Sequence, residues 1–367
     1  MKSAIILLDT TEKLALALKP TVDRYLIDFE IHELKEAGVE QIYVVAEKED
    51  LTVTDADVVK TLYEAVKALN EESADVIVLD GLYPYLKSTS YEAMFAHANA
   101  RIANTQIIKL NIRDLVNIKD LSFEIVALPE EETKIIKTNR DVYELNVYLR
   151  NIINNYHLNN GVNFIDLERT YIGPDVVIEK NATIYPDVYL EGHTKICADA
   201  TIFANSYLNN AKIGKNTKIL ASRITDSTVG ANVTCGPNSH LRMHCEVGDN
   251  VRIGNFVEFK NTKFGYKSRC AHLTYLGDST VGEDVNIGCG VITANYDGAH
   301  KFHTEIGDHS FIGSNSNLIA PIKIGSNVLV AAGSTITDDV ADGDMAIARS
   351  RQSVKEGRGY TYIHKEK

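Results

Sequence analysis

The sequence predicts an α/β domain over residues 1–150 and an all-β domain over residues 165–367, with a connecting helix and linker over 141–164. Three observations lead to this prediction. The chain has 367 residues, which is enough for two hydrophobic cores. Strand-like and helix-like segments alternate in the first part, and aliphatic residues recur every six positions in the second part.

The first domain shows apolar strands separated by amphipathic helices. The predicted strands are Ala4–Leu8, Gln41–Ala46 and Asp75–Leu79. The predicted helices lie near residues 28–37, 58–69 and 141–155. Strand–helix–strand alternation implies a parallel sheet, because parallel neighbours need a crossover connection.

The second part repeats with a period of six residues. Its first and last uninterrupted runs are Ile172, Ile178, Ile184, Leu190, Ile196, Ile202 and Leu208, and Ile306, Ile312, Leu318, Ile324, Val330 and Ile336. Three such units form one triangular coil, in which each aliphatic side chain points inward and stacks on its equivalent about 18 residues further on. An α-helix is excluded, because a period of six would place successive aliphatic residues about 120° apart. The repeat therefore predicts a parallel β-helix.

A long insertion interrupts this repeat between Ile287 and Ile306. It reads CGVITANYDGAHKFHT and is rich in Asn, Gly and His. Insertions in a repeat scaffold leave the coil as loops, and loops on rigid scaffolds often carry function. We therefore expect a functional loop at this position.

Composition and charge narrow the possible functions. The formal charge is −12, with −10 over residues 1–150 and −2 over residues 151–367, and there is no Lys/Arg cluster, which argues against nucleic acid as the main partner. No apolar run of about 18 residues is present, so no membrane span is predicted.

The cysteines lack C-x-x-C spacing and indicate free thiols in a reducing cytoplasm, with no nucleophilic role expected. They are Cys197, Cys235, Cys245, Cys270 and Cys289.

Three strings between residues 241 and 358 are distinctive. They are LRMHCEVGDNVRIGNFVEFKNTKFG, AHLTYLGDSTVGEDVNIGCGVITANYDGAHKFHT and MAIARSRQSVKEGR. Together they resemble the acetyltransferase domain of the bacterial bifunctional N-acetylglucosamine-1-phosphate uridyltransferase/glucosamine-1-phosphate acetyltransferase family. The resemblance implies a left-handed parallel β-helix of hexapeptide repeats, assembled as a homotrimer with active sites between subunits. It also implies an amino-sugar phosphate as substrate and acetyl-CoA as co-substrate, with no metal needed for acetyl transfer.

The resemblance assigns roles residue by residue. His272 matches the general base. The matches to the groups that hold the sugar phosphate are Arg242, Lys260, Tyr275 and Asn286. The expected acetyl-CoA contacts are Cys289, Asn295, Tyr296, Lys301, Ser314, Ala332 and Arg349. Cys289 stands where the family is expected to have Ala, which is harmless if the contact is made by the backbone.

These residue types suit acetyl transfer from a thioester to an amine. A base with a pKa near neutrality should remove a proton as the new bond forms, and histidine is the usual choice. Arg242 and Lys260 offer fixed positive charge to a phosphate, and their separation by one coil places them on the same face. A side-chain amide or backbone N–H in the Asn295 loop could stabilise the oxyanion. The basic stretch 349–358 suits the phosphates of coenzyme A.

Residues 1–150 resemble the family's nucleotidyltransferase domain only in outline. Lys19-Pro20 and the string ELKEAGVEQIYVV keep that outline. However, LDTTEKLALALKP stands where a glycine-rich loop should hold the triphosphate. Leu82 and Thr138 stand at the expected metal-binding positions. We therefore expect a degenerate, Rossmann-like nucleotidyltransferase fold without uridyltransferase activity.

Two alternatives to acetylation of glucosamine 1-phosphate remain open. One is N-acetylation of another amino sugar or sugar nucleotide with the same residues. The other is a non-catalytic trimeric scaffold. Because the general base and all the sugar-phosphate residues are present, the sequence favours glucosamine-1-phosphate N-acetyltransferase activity, which serves UDP-N-acetylglucosamine biosynthesis.

Overall fold

The computed structural model describes residues 2–21, 23–47, 51, 53–69, 75–112, 114, 118–119 and 121–359. The chain divides into two compact units, Met1–Ile152 and Ile153–Lys367, called unit 1 and unit 2 below. Among the described residues, no helix is long and apolar enough to cross a membrane.

Unit 1 contains a seven-stranded mixed sheet and a small hairpin. Its strands are β1 (Lys2–Leu7), β2 (Pro20–Thr21), β3 (Arg24–Tyr25), β4 (Gln41–Val45), β5 (Asp57–Val59), β6 (Asp75–Asp80), β7 (Ala100–Ile102), β8 (Ile107–Asn111) and β9 (Glu124–Val126). Its helices are α1 (Thr11–Ala17), α2 (Leu26–Glu36), α3 (Leu62–Ala68), α4 (Ser88–Phe95) and α5 (Asn139–Asn159), which continues into unit 2. The sheet order is β5-β4-β1-β6-β8-β7-β9, and β2 pairs with β3.

Successive residues of the central strand β1 serve two cores, one on each face of the sheet. Ala4 and Ile6 belong to the larger core, which includes α2 residues such as Leu34. Ile5 belongs to the smaller core, together with Ala65 of α3. This alternation is the period of two expected for a strand that is covered on both faces. The predicted parallel arrangement of β1, β4 and β6 is confirmed.

Two expectations for unit 1 need correction. The helix predicted near 58–69 starts too early, because residues 57–59 form the edge strand β5. Helix α3 begins only after Thr61, whose Oγ1 accepts the N–H of Glu64 in a capping box that stops the helix from extending backwards. The sheet is also not purely parallel, since β8 runs antiparallel to β6.

Unit 2 is a parallel β-helix of triangular section with three faces, I, II and III. Face I contains β10 (Asn163–Phe164), β13 (Thr183–Ile184), β16 (Thr201–Ile202), β19 (Lys218–Ile219), β22 (Thr234–Cys235), β27 (Asn286–Ile287), β30 (Phe311–Ile312), β33 (Leu329–Val330) and β35 (Met345–Ala346). Face II contains β11 (Thr170–Ile172), β14 (Val188–Glu191), β17 (Tyr207–Asn209), β20 (Arg223–Thr225), β23 (His240–Arg242), β28 (Ile292–Ala294), β31 (Asn317–Ile319) and β34 (Thr335–Ile336). Face III contains β12 (Val177–Ile178), β15 (Lys195–Ile196), β18 (Lys212–Ile213), β21 (Thr228–Val229), β24 (Glu246–Val247), β29 (Thr304–Ile306) and β32 (Ile322–Ile324).

Two long strands, β25 (Arg252–Phe264) and β26 (Arg269–Val281), run across all three faces. Elsewhere strands pair with the strand three places along the chain, as expected for three strands to a coil, except that β33 pairs with β35. The interior is a stack of aliphatic residues: Ile172 is in register with Leu190, and both are fully buried. The corners hold Asn or Asp with positive φ, such as Asn181 and Asp187, because these residues tolerate the left-handed conformation. The predicted parallel β-helix is confirmed.

The stacked interior makes unit 2 sensitive to cavities. Ile202 is fully buried and lies in register between Ile184 and Ile219. We expect Ile202→Ala to lower the free energy of unfolding by about 2–5 kcal/mol, since the rigid coils above and below cannot collapse into the gap. Val177, which is 54% exposed on face III, provides the control Val177→Ala. Urea unfolding of both variants tests this, and equal losses would contradict the stacked core.

Unit 1 buries a carboxyl group, that of Glu30 in α2. Burial raises the pKa of Glu30 to about 8, although the N–H of Tyr83 and the hydroxyl of Tyr91 donate hydrogen bonds to it. The unfolded chain releases this proton near its usual pKa of 4.5, whereas the folded chain keeps it until about 8. Glu30 should therefore make unit 1 less stable as the pH rises through this interval.

We expect the urea concentration at the unfolding midpoint to decrease as the pH is raised from 4.5 to about 8. The variant Glu30→Gln cannot ionise at this position and should show a smaller decrease over the same range. Parallel pH profiles of the two proteins would show that Glu30 is not responsible.

Candidate active site

Face II of the β-helix places two predicted phosphate ligands side by side. Arg242 on β23 is in register with Lys260 on β25, and Lys260 is in register with Gly277 on β26. Adjacent strands are about 4.8 Å apart, so the two cations lie on neighbouring coils. The Arg242 guanidinium is oriented by the Glu258 carboxylate, at 2.8 Å from Nε and 2.7 Å from Nη2. The expectation that Arg242 and Lys260 share one face is confirmed.

Lys260 is unusual because its side chain is nearly buried, with 7% exposed. Its Nζ lies 3.5 Å from Oδ2 of Asp278. The pKa of Lys260 is lowered, first because the amine of Lys301 lies within hydrogen-bonding reach and second because burial disfavours the charge, while Asp278 opposes both effects. Lys301, from the inserted loop, thus lies beside Lys260, a predicted phosphate ligand, and two neighbouring amines favour an anion between them.

Tyr275 and Asn295 enclose the space in front of Gly277. A Cβ atom at Gly277 would lie 2.4 Å from the Tyr275 hydroxyl and 2.8 Å from Nδ2 of Asn295. A side chain at position 277 would therefore have to displace Tyr275 and Asn295, two predicted site residues. Asn295 itself is 6% exposed, and its Nδ2 donates a hydrogen bond of 2.5 Å to Oδ2 of Asp278.

The inserted loop leaves the coil at the corner between faces II and III, as the sequence predicts. Tyr296 and Lys301 form an isolated antiparallel bridge across it. The Tyr296 side chain is 61% exposed, and its hydroxyl donates to the carbonyl of Gly298. Asp297 closes the turn by accepting the backbone N–H groups of Ala299 and His300. The loop therefore projects Tyr296 outward while it keeps Lys301 close to Lys260.

The corner between faces I and II aligns His272 with three predicted cofactor contacts, Cys289, Ser314 and Ala332. We call these four residues the corner column, since they occupy equivalent places on successive coils. Backbone hydrogen bonds link the successive coils at this corner. The N–H of Gly290 donates to the carbonyl of Leu273, that of Asn315 to Cys289, and that of Gly333 to Ser314. His272, Ser314 and Ala332 are exposed and Cys289 is half-buried, so a ligand can follow the corner.

Arg349 lies near the far end of this column. Its Cδ is 3.8 Å from the position that a Cβ atom at Gly333 would take, next to Ala332. The column therefore starts with an imidazole and ends beside a guanidinium.

Asn286 lies on a different face of the β-helix from the other predicted sugar-phosphate ligands. It lies on face I, in register with Arg269 and Phe311, whereas Arg242, Lys260 and Tyr275 lie on face II. The distance along the sequence does not show this separation, because it depends on where the chain turns from face I to face II.

Two residues near the site were not predicted, Glu258 and Asp278. Glu258 orients Arg242, and Asp278 contacts both Lys260 and Asn295. A signal was available for Glu258, which is an acidic residue two positions before Lys260 on the same strand. Asp278 carries a weaker signal, since it follows Gly277 in the motif LGD at a corner where Asn and Asp are common.

The expected nucleotide site of unit 1 contains a salt-bridge cluster. Helix α1 begins directly after β1 and places Lys13 between two carboxylates. Its Nζ lies 2.7 Å from Asp9 and also contacts Asp80. Burial lowers the pKa of Lys13, but the hydrogen bonds to Asp80 and Asp9 outweigh this effect and raise it. An ammonium group is thus already bound by both of these carboxylates.

Comparisons with known proteins agree with the repeat. The family model described as bacterial transferase hexapeptide (six repeats) matches residues 303–338. The bifunctional protein GlmU of Clostridioides difficile is 47% identical over 227 residues, which are 62% of this chain and 50% of that protein. The GlmU of Exiguobacterium sibiricum is 41% identical over 279 residues, 75% of this chain and 61% of that protein. The predicted left-handed parallel β-helix after an α/β domain is confirmed.

The chain spans about half to three fifths of the length of these two relatives. A third relative, the bifunctional protein GlmU of an Exiguobacterium species, is 36% identical over 340 residues. That match covers 89% of this chain and 73% of the relative. An identity of this level over most of both chains shows that the protein belongs to the family of the bifunctional GlmU proteins.

Proposed function

We propose that this chain is an acetyl-CoA-dependent N-acetyltransferase that converts glucosamine 1-phosphate to N-acetylglucosamine 1-phosphate. The observation that carries this proposal is the placement of Arg242 and Lys260 on face II, with Lys301 of the inserted loop beside Lys260, next to the corner that holds His272. Three cationic side chains suit a phosphate dianion, and a histidine nearby suits an acceptor that must lose a proton.

The phosphate ligands orient the sugar. Arg242 enters the site already held by Glu258, so little conformational freedom is lost when it binds an oxyanion. Lys260 and Lys301 repel each other in the free protein, and a bound phosphate relieves that repulsion. Tyr275, beside Gly277, gives the sugar ring a surface to pack against.

His272 acts as the base during acetyl transfer. As the amine nitrogen bonds to the acetyl carbon, the imidazole takes the proton that the amine loses. The C–S bond then breaks, and the imidazolium returns the proton to the sulfur of coenzyme A. Asn295 uses one amide N–H to bind Asp278, and its second N–H can donate to the developing oxyanion.

The corner column supplies a track for the pantetheine arm. It extends over three coil steps from His272 to Ala332, and each step is about 4.8 Å. Its exposed positions carry small side chains, which let an extended chain lie against the backbone. Arg349 and the basic residues that follow it are exposed and suit the phosphates at the other end of coenzyme A.

A homotrimer completes the site in this proposal. Asn286 faces away from Arg242 and Lys260 within one chain, because it lies on face I. In a trimer of β-helices, face I of one chain can meet face II of its neighbour. Asn286 of one subunit would then contact sugar bound to another, in keeping with the family resemblance.

Unit 1 is proposed to have lost uridyltransferase activity. Lys13 fills the space between Asp9 and Asp80 with a positive charge, where a metal–nucleotide complex would need free carboxylates. Leu82 is buried in the core, at 2% exposure. Thr138 caps α5, since its Oγ1 accepts the N–H of Asp141 and donates to the Asp141 carboxylate. Each of these residues has a structural role instead of a metal-binding one.

We expect the protein to release free thiol from acetyl-CoA only when glucosamine 1-phosphate is added, and we expect His272→Ala to lower kcat by about 10²- to 10⁴-fold, since the general base is lost. A thiol-detecting reagent in a steady-state assay measures both. His193→Ala is the matched control, because His193 is also exposed at a corner but lies several coils from the site. An unchanged rate in His272→Ala would refute the mechanism.

The choice of acceptor is tested in the same assay. Glucosamine, glucosamine 6-phosphate and nucleotide-linked amino sugars should give much lower kcat/KM than glucosamine 1-phosphate, because they lack the phosphate or carry it elsewhere. Preference for one of these compounds would assign a different amino sugar to the same site. No thiol release with any acceptor would favour the scaffold alternative.

We expect no UDP-sugar to form when the protein is supplied with UTP, Mg²⁺ and N-acetylglucosamine 1-phosphate. Measuring pyrophosphate release, with a catalytically competent family member as the positive control, tests this expectation. Pyrophosphate release above background would show that the contacts of Lys13 do not block nucleotide chemistry.

A further inference from the structure

Asp278 joins parts of the proposed site that the sequence treats separately. Its Oδ2 accepts a hydrogen bond of 2.5 Å from Nδ2 of Asn295 and lies 3.5 Å from Nζ of Lys260. Its Oδ1 receives Nδ2 of Asn261 at 2.7 Å. One carboxylate thus contacts a phosphate ligand and the amide at the base of the inserted loop.

We infer that Asp278 is a positioning residue for acetyl transfer, which holds the ammonium of Lys260 and the side-chain amide of Asn295 in a single arrangement. This inference rests on the proposed function. Asp278 does not touch the reacting atoms in this account. It acts on the sugar phosphate through Lys260 and on the transferred acetyl group through Asn295.

The electrostatics of the site explain why a carboxylate is needed. Lys260 is nearly buried and has the amine of Lys301 beside it, so both burial and repulsion oppose its positive charge. Asp278 supplies the compensating negative charge. Burial opposes ionisation of Asp278, but the hydrogen bond from Asn261, the charge of Lys260 and the hydrogen bond from Asn295 together lower its pKa. The carboxylate is therefore ionised at neutral pH.

The β-helix contains a matched aspartate that lacks these contacts. Asp226 occupies the same corner between faces II and III, and its φ of 48° is close to the 49° of Asp278. Its Oδ1 accepts a hydrogen bond of 3.2 Å from Nδ2 of Asn210, which is equivalent to the bond from Asn261 to Asp278. Within the part of the chain that the structure describes, no lysine pairs with Asp226. Both aspartates therefore form the corner and accept an amide hydrogen bond from the preceding coil, but of these two residues only Asp278 contacts Lys260 and Asn295.

The test compares Asp278→Asn with Asp226→Asn in the full chain. Asparagine keeps the size and the tolerance for positive φ, but it removes the charge and replaces one acceptor oxygen by a donor NH2, so one of the hydrogen bonds from Asn261 and Asn295 is lost as well. We expect Asp278→Asn to raise KM for glucosamine 1-phosphate and to lower kcat, each by about 10- to 100-fold, as for loss of a hydrogen bond to a charged group. Asp226→Asn should stay within about twofold of the unaltered protein in both constants. The two variants should have similar Tm values.

Two further variants separate positioning from a general loss of structure. Asn295→Ala should lower kcat and leave KM for the sugar phosphate unchanged. In a Lys260→Met background, Asp278→Asn should no longer raise that KM, because its effect passes through Lys260. If Asp278→Asn matches Asp226→Asn in KM and kcat, or if its effect on KM persists without Lys260, the inference is wrong.

The proposed function fails on different evidence. If the unaltered protein acetylates no amino-sugar phosphate, both the proposed function and the inference fall. If the unaltered protein is active and Asp278→Asn is equally active, only the inference falls.

Discussion

The stacking of one coil on the next is the constraint on which the β-helix and its candidate site depend. Backbone hydrogen bonds between parallel strands fix the distance between coils at about 4.8 Å, and the buried aliphatic residues fix their rotation. A side chain on the outside has no freedom to choose its neighbours, because the register decides them. Arg242 and Lys260 are adjacent for this reason, and so are His272 and Cys289. The register of the coils, more than the loops, therefore determines which residues meet in the candidate site.

Register explains which parts of the site the sequence can predict. Residues one coil apart can be recognised by counting, so the pair Arg242 and Lys260 is predictable from its spacing. The contact between Lys260 and Asp278 also joins residues 18 apart, so the same count could have indicated it, although the structure places Lys260 in register with Gly277. Coils also differ in length, since His272 and Cys289 are 17 residues apart and Cys289 and Ser314 are 25 apart. The role of Gly277 emerges only from the three-dimensional approach of Tyr275 and Asn295.

Unit 1 shows a different limit of prediction. Its central strands are predictable because each is a short apolar run, and the strand–helix alternation correctly indicates parallel pairing among β1, β4 and β6. The antiparallel strand β8 cannot be predicted in this way, since its direction depends on how a distant segment returns to the sheet. The contact of Lys13 with Asp80 is also non-local, with 67 residues between the partners. A lysine in a short helix gives no sign of such a partner.

The charge clusters of the two units carry opposite net charges, and this difference accounts for the proposed roles of the units. In unit 1, Lys13 compensates only one of the two negative charges of Asp9 and Asp80, so the cluster keeps a net negative charge that repels a nucleotide. On face II of the β-helix, Lys260 and Lys301 share a neighbourhood in which Asp278 compensates only one positive charge. The surplus is unfavourable in the free protein, and an anionic ligand removes it. A cluster with surplus positive charge is suited to binding phosphate, whereas a cluster with surplus negative charge is not.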